Sequence, residues 1–246
     1  MNKKQLPKVL LACPTSNIKL YCQKDWFDWI SKLDYPNYDI LIVENSKTPE
    51  NSELIKSYNI PNLTVLYVGA EFKDRDKYNL REIMTFCTNL IFKYFLNRNY
   101  DYWLSLESDV FPPKETIQHL IALNKSVAGL PYFHGGADEP PRLISHDITL
   151  NFSMPKTSLE TFGIANGDLM RPYQCGIGCT LFKRHVVKDI GLLEYRDTVG
   201  GEFPDAFILD KIYQDFNYLP FIDSRFYCLH LNNEGNWRKL RRFENL

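Results

Sequence analysis

The sequence lacks most of what marks the special classes of protein. Its six cysteines, Cys13, Cys22, Cys87, Cys175, Cys179 and Cys228, include no Cys-x-x-Cys pair, which argues against a standard zinc finger or a thioredoxin-type redox motif. Most lie in apolar surroundings and read as reduced core thiols of a cytoplasmic protein. A zinc set of Cys175, Cys179, Cys228 and His230 would not have a standard finger spacing. No apolar run approaches the length of a transmembrane segment. Met1–Lys8 is polar and basic, but Val9–Cys13 is too short for the apolar part of a signal peptide. The expectation is a soluble chain, still able to work at a membrane surface. The formal charge is −1, so no global basic field exists to hold nucleic acid. Repeats, low-complexity tracts and a clear linker are all missing. What remains is 246 residues, enough for one large domain with a full core or for two small lobes. Tyrosine and phenylalanine are spread throughout, and such residues fill cores or line sugar- and base-binding clefts.

The most informative stretch is Tyr102 to Pro113, YWLSLESDVFPP. A short apolar run reads as a buried strand. It ends in Glu107 and Asp109, and Pro112 and Pro113 stop it, with Pro113 suited to the first turn of a helix over Lys114–Leu123. On extended backbone, residues two apart point the same way. Two carboxylates side by side repel unless a cation joins them. Hard divalent ions such as Mg²⁺ or Mn²⁺ take oxygen ligands, often one or two carboxylates plus substrate phosphates. The bland alternative is an acidic turn in solvent.

Elsewhere the first half alternates strand and helix. Strands are expected at Lys8–Cys13, Tyr38–Glu44, Leu63–Val68 and Tyr102–Leu106. Helices are expected at Ile18–Lys32, Pro49–Tyr58 and Asn79–Phe95, the last with apolar residues at helical intervals. This order implies a mainly parallel sheet with helices on both faces. Ligands of such sheets bind beyond the carboxyl ends of the strands, where Thr15, Glu44, Asn45, Glu107 and Asp109 all lie. The second half begins with a strand at Ser126–Leu130. A long irregular segment over Phe133–Gln174 follows, of the kind that forms lids and binding loops. Further strands are expected at Cys175–Phe182, Leu219–Ile222 and Arg225–Leu229, with a helix at Ala206–Asp215 between them.

This order of elements resembles the GT-A glycosyltransferases, family-2-like, over roughly Lys8 to His230. Pro14-Thr15 resembles the family's opening nucleotide-binding turn, and Ile42 to Ser46, with Glu44 and Asn45, its acidic second-strand motif that contacts the base. Arg81 sits where the family often places an arginine before the helix that leads to the metal motif. Glu107-Ser108-Asp109 resembles the DxD motif, with glutamate in place of the first aspartate. Gly176-Ile177-Gly178 resembles the acceptor-side strand. Pro204-Asp205-Ala206-Phe207, with Asp210, resembles the segment carrying the catalytic base. Cys228-Leu229-His230 resembles the closing strand, whose histidine can reach the metal. The usual Glu-Asp pair is here Pro204-Asp205, with Glu202 earlier. The Gln-x-x-Arg-Trp motif of processive synthases is missing, which fits a single-transfer enzyme.

The resemblance implies a single compact GT-A domain, α/β and Rossmann-like. Residues 1–110 would form the nucleotide-sugar-binding half, 111–232 the acceptor-binding and catalytic half, and 233–246 a basic tail. It implies metal-dependent transfer from a nucleoside-diphosphate sugar to an acceptor hydroxyl, inverting, with Mn²⁺ or Mg²⁺ held by Asp109, Glu107 and His230. Pro14, Thr15, Glu44, Asn45, Arg81, Glu107, Ser108 and Asp109 would bind the donor. Asp205 is the first candidate for the base and Glu202 the reserve. An aspartate just before an apolar-periodic segment is also a natural helix N-cap, and the two roles can coexist. The acceptor is open among a glycan, a lipid-linked sugar and a modified nucleic acid. Trp237, Arg238, Lys239, Arg241 and Arg242 are either a solvated tail or a flap over the diphosphate. Two alternatives stand beside this reading. One is a nucleotidyltransferase, which would want a Gly-rich basic loop after strand one where Pro14-Thr15-Ser16-Asn17 stands. The other is an inactive relative that binds a nucleotide or glycan.

Overall fold

A computed structural model describes residues 5–74, 77–134, 142–144, 169–170, 176–195 and 203–231. The first half runs β1 (Val9–Thr15), α1 (Gln23–Ile30), β2 (Tyr38–Glu44), α2 (Glu50–Ser57), β3 (Leu63–Tyr67), α3 (Leu80–Leu96) and β4 (Tyr102–Leu106). It continues through β5 (Val110–Phe111), α4 (Thr116–Ala122), β6 (Val127–Gly129), β7 (Tyr132–His134), β8 (Arg142–Ile144) and β9 (Leu169–Met170). The chain then runs through β10 (Cys179–Lys183), α5 (Arg184–Ile190), α6 (Pro204–Phe216), β11 (Phe221–Asp223) and β12 (Leu229–His230).

Eight strands form the main sheet in the order β3-β2-β1-β4-β10-β6-β11-β9. β3, β2, β1 and β4 pair in parallel, as do β6 and β11, while β10 runs antiparallel to both its neighbours. The strand pattern explains itself by period two. Val9, Leu11 and Cys13 face one core with Trp26, Phe27 and Ile30 of α1. Leu10 and Ala12 face the other with Phe92 and Phe95 of α3 and with Val186 and Ile208 of α5 and α6. A parallel strand buried on both faces needs apolar residues on both, so it reads as a continuous run. Trp103 belongs to the second core, 2% exposed and stacked on Phe182 with ring centroids 4.8 Å apart.

The strand order turns back between the parallel neighbours β1 and β4: β2 and β3 follow on one side of β1, and β4 and the later strands on the other. Such a switch point leaves a crevice beyond the carboxyl ends of the two strands. The entry to α3 is fixed by a capping box: Asn79 Oδ1 accepts from Arg81 N and Glu82 Oε2 accepts from Asn79 N, both at 2.9 Å. A cap of this kind stabilises a helix by about 1 kcal/mol.

Three local expectations are corrected. The helix expected over Ile18–Lys32 is instead a 3₁₀ turn at Asn17–Lys19 followed by α1 from Gln23. Pro113 does not open a helix; its carbonyl accepts from Thr116 N at 3.1 Å, and α4 begins only at Thr116. Asp205 is not an N-cap. Pro204, with its preset φ, takes the first helical position, so Phe203 is the cap residue and Asp205 lies inside the first turn.

Candidate active site

Glu107, Ser108 and Asp109 leave β4 as a turn, closed by Val110 N donating to the Glu107 carbonyl at 3.0 Å. The two carboxylates converge by this turn, not by alternation along extended backbone as the sequence suggested. The turn is clamped on every side. Trp26 Nε1 donates to the Val110 carbonyl at 2.9 Å and Trp29 Nε1 to that of Pro112 at 2.7 Å. Glu107 N donates to the Gly178 carbonyl at 2.9 Å, tying the motif to the segment before β10. Thr15 Oγ1 and Ser108 Oγ are hydrogen-bonded at 2.8 Å across the switch point.

β5 and β12 form a small antiparallel ribbon that sets His230 opposite Val110. Leu231 N donates to the Asp109 carbonyl at 2.9 Å. These ties bring His230 Nε2 to 3.3 Å from Asp109 Oδ2. The imidazole is braced edge-on by Tyr132, with ring centroids 5.2 Å apart. One ligand atom from each of Glu107, Asp109 and His230 falls within 4.8 Å of the others, so the three could hold a metal ion.

Asp109 is 1% exposed. Its Oδ2 is also reached by Lys19 Nζ and, at 3.3 Å, by the Tyr21 hydroxyl. Its Oδ1 is buried with no hydrogen-bond partner. Burial is the largest single influence on the Asp109 carboxyl and raises its pKa, but the His230 hydrogen bond and the Lys19 charge outweigh it and hold it below the ordinary value. Glu107 is exposed and opens onto the cavity, with Asp109 beside it. Desolvation, followed by the Asp109 charge, pushes the Glu107 carboxyl up to about 7, with His230 and Lys19 opposing. The two carboxylates therefore differ in direction, Asp109 held below its ordinary value and Glu107 raised above it.

A cavity of about 600 Å³ opens in front of the pair. Pro14, Thr15, Asn45, Glu107, Ser108 and Asp109 line it, and Lys19, Lys47, Leu80, Met84 and Phe203 complete much of the wall. Arg81 lies beside it, its guanidinium 5.0 Å from the Phe203 ring centroid and its Nε buried without a hydrogen-bond partner. Glu44 is placed differently from the other candidates. It is fully buried, and its Oε1 accepts from Ser46 N, Ser46 Oγ and Asn51 Nδ2, so it shapes the turn after β2. Asp205 is close enough for its charge to raise the Glu107 pKa, and its Oδ1 accepts from Ala206 N at 2.9 Å. Asp210 lines a separate hollow with Leu192 and Phe207. Ile177 is half-buried against the α3 core, and the Gly176 carbonyl accepts from Thr180 Oγ1 at 3.4 Å.

Sequence reasoning missed Lys19, Tyr21, Lys47 and Phe203. The one available signal for Lys19 and Tyr21 was their position just after β1, in the loop at its carboxyl end. Reading them into a helix hid it. Cys179 and Cys228 are buried free thiols, and His230 is engaged by Asp109; Cys175 lies outside the described residues. So do Glu202 and the tail with Trp237 and Arg238.

The sequence matches no protein-family model and no curated protein. Solved structures do match. A mannosyltransferase from Pyrobaculum calidifontis, determined with GDP-Man and Mn²⁺, superposes with a TM-score of 0.58 at 14% identity, over 96% of this chain and 61% of that one. TarS from S. aureus superposes with a TM-score of 0.54 at 16% identity, over 96% of this chain and 38% of that one. Its residues 1–349 with UDP-GlcNAc give 0.55 at 17% identity, over 94% of this chain and 60% of that one. The chain has the GT-A glycosyltransferase fold. It spans less than two thirds of each of these three chains. Within this GT-A sheet, the turn after β4 and the end of β1 meet at the switch point, and the β5–β12 ribbon adds the histidine. No described helix is long and apolar enough to cross a membrane.

Proposed function

We propose that the protein is a metal-dependent glycosyltransferase that moves a sugar from a nucleoside-diphosphate sugar to an acceptor hydroxyl with inversion. The observation that carries this reading is the convergence of Glu107, Asp109 and His230 at the switch point of a GT-A sheet. The two carboxylates suit a hard divalent ion such as Mn²⁺ or Mg²⁺, His230 stands within reach as a third ligand, and the buried, unpartnered Asp109 Oδ1 is an acceptor that a cation would satisfy. A divalent ion held there supplies Lewis-acid charge for the departing diphosphate. The remaining chemistry falls to the chain. Asp109 is the direct ligand, and Glu107 ligates directly, through water, or holds the ribose. Pro14, Thr15, Asn45 and Ser108 seat the donor along the cavity, with Arg81 at its edge for a phosphate. Asp205 takes the acceptor proton, with Glu202 in reserve. The Gly176–Gly178 segment lies on the acceptor side.

The neighbours' ligands support a nucleotide sugar as donor: GDP-Man in the mannosyltransferase and UDP-GlcNAc in TarS. We assign donor binding to 1–110 and acceptor binding with catalysis to 111–232. The acceptor is a glycan, a lipid-linked sugar or a modified nucleic acid. The cytoplasm fits five described cysteines that are all unbridged.

The test is thermal stability with UDP-, GDP-, CMP- and dTDP-linked sugars, with and without Mn²⁺. A ligand roughly a hundredfold above its Kd adds about 2.7 kcal/mol of stability. A metal-dependent rise with one nucleotide class, lost in Asp109→Asn, is expected. A rise that ignores the metal and survives Asp109→Asn contradicts the metal site. Multiple-turnover release of nucleoside diphosphate with an acceptor separates an enzyme from a binder.

A further inference from the structure

Lys19 puts a cation where the proposed metal centre would put its own. The Asp109 Oδ2 receives the Lys19 ammonium, His230 Nε2 at 3.3 Å and the Tyr21 hydroxyl at 3.3 Å, while Oδ1 stays buried without a partner. A carboxylate 1% exposed beside a second carboxylate is costly unless a positive charge faces it. Lys19 is the lysine that faces it, and its side chain is 28% exposed, open to the cavity it lines. Its backbone is held firmly. Lys19 N donates to the Ser16 carbonyl and Cys22 N to the Lys19 carbonyl, both at 3.1 Å, and Asn17 N donates to Ser46 Oγ at 2.8 Å. A fixed root and a flexible four-carbon stem let the ammonium leave Asp109 without any movement of the fold.

We propose that Lys19 is a tethered cation that holds Asp109 when no metal is bound and competes with the divalent ion for it. The inference rests on the metal site proposed above. An ammonium and a divalent ion on one buried carboxylate repel each other whichever oxygen the ion takes, so metal binding weakens the Lys19 contact. The displaced ammonium stays inside the cavity, beside Ser108 and Thr15, where a donor phosphate would lie, and a lysine there acts on phosphate as a point charge. Lys19 is thus a positioning residue that sets the affinity of the site for its metal and frees one positive charge when the metal arrives.

The experiment is Mn²⁺ titration of the full chain without nucleotide, read by the EPR signal of the free ion, for native protein, Lys19→Met, Lys19→Arg and Asp109→Asn. Circular dichroism checks that each is folded. Lys19→Met keeps the stem and drops the charge, and is expected to bind Mn²⁺ about fivefold tighter, the effect of removing one competing charge from a partly exposed pair. Lys19→Arg should stay near native, and Asp109→Asn should lose binding. Native protein that binds Mn²⁺ as tightly as Lys19→Met overturns the inference and leaves the metal site standing. Absence of Mn²⁺ binding by both folded proteins overturns the two together.

Discussion

Replacing Gly178 by alanine perturbs the site without touching any proposed ligand. A Cβ at Gly178 would lie 2.7 Å from Tyr132 Cζ, 2.8 Å from its hydroxyl and 2.9 Å from Cε1. These distances are too short for real contacts, and the Tyr132 ring is only 3% exposed, so it has little room to retreat. Its edge braces His230, and the Gly178 carbonyl accepts from Glu107 N at 2.9 Å. Overpacking of this sort costs about 1–3 kcal/mol. Urea denaturation should show that loss as a lower midpoint at unchanged slope, and Mn²⁺ affinity should fall with it. Tyr132→Leu removes the colliding ring, so in the double variant the two losses should fall short of their sum by about 0.5–3 kcal/mol. A Gly178→Ala protein within about 0.5 kcal/mol of native with native Mn²⁺ affinity would refute this reasoning. So would losses that simply add.

Three further outcomes are expected. Trp26→Phe orphans the buried Val110 carbonyl that Nε1 now satisfies at 2.9 Å. It should cost about 1–3 kcal/mol for the lost bond, and an unchanged denaturation midpoint would contradict that role. Asp205→Asn should lower turnover by about 10²–10⁴-fold at unchanged donor affinity if Asp205 is the base; stopped-flow and steady-state kinetics check this, and near-native turnover excludes it. Asp223 is fully buried and holds Arg225 through two side-chain bonds, at 2.8 and 2.6 Å, and His119 at 2.8 Å. Burial pushes its pKa up, but Arg225 and His119 outweigh that and lower it on balance. A carboxyl depressed in the folded state adds stability above its unfolded pKa and loses it as pH falls through the folded one. Asp223→Asn should therefore be less stable than native at neutral pH, the gap narrowing as pH drops below the ordinary carboxylate range. A gap constant with pH, followed by denaturation across that range, would contradict the assignment.

Much of the frame was legible because local rules and tertiary demands agreed. β2 and β4 fall at the expected residues, and α3 begins where Asn79 and Glu82 form its capping box. The acidic turn was legible as a site because an apolar strand ended in two carboxylates. What escaped was set by partners far along the chain. Lys19 and Tyr21 meet Asp109 across 90 and 88 residues, and a continuous helix from Ile18 would have carried them away from it. The break comes from the turn after β1, pinned by Asn17 N on Ser46 Oγ, which no periodicity reports. Glu44 looked like a ligand-facing acid at a strand end, yet Ser46 and Asn51 close over it. The cap role offered for Asp205 beside that of base fails because Pro204 takes the first helical position and moves the cap to Phe203.

The central claim is a metal site on Glu107, Asp109 and His230, and anomalous diffraction tests it most directly. Crystals grown with Mn²⁺ and a nucleoside diphosphate should give one strong manganese peak among these three side chains, with Lys19 turned away from Asp109. A manganese peak elsewhere, or Lys19 still paired with Asp109 beside a bound diphosphate and no manganese, would contradict it.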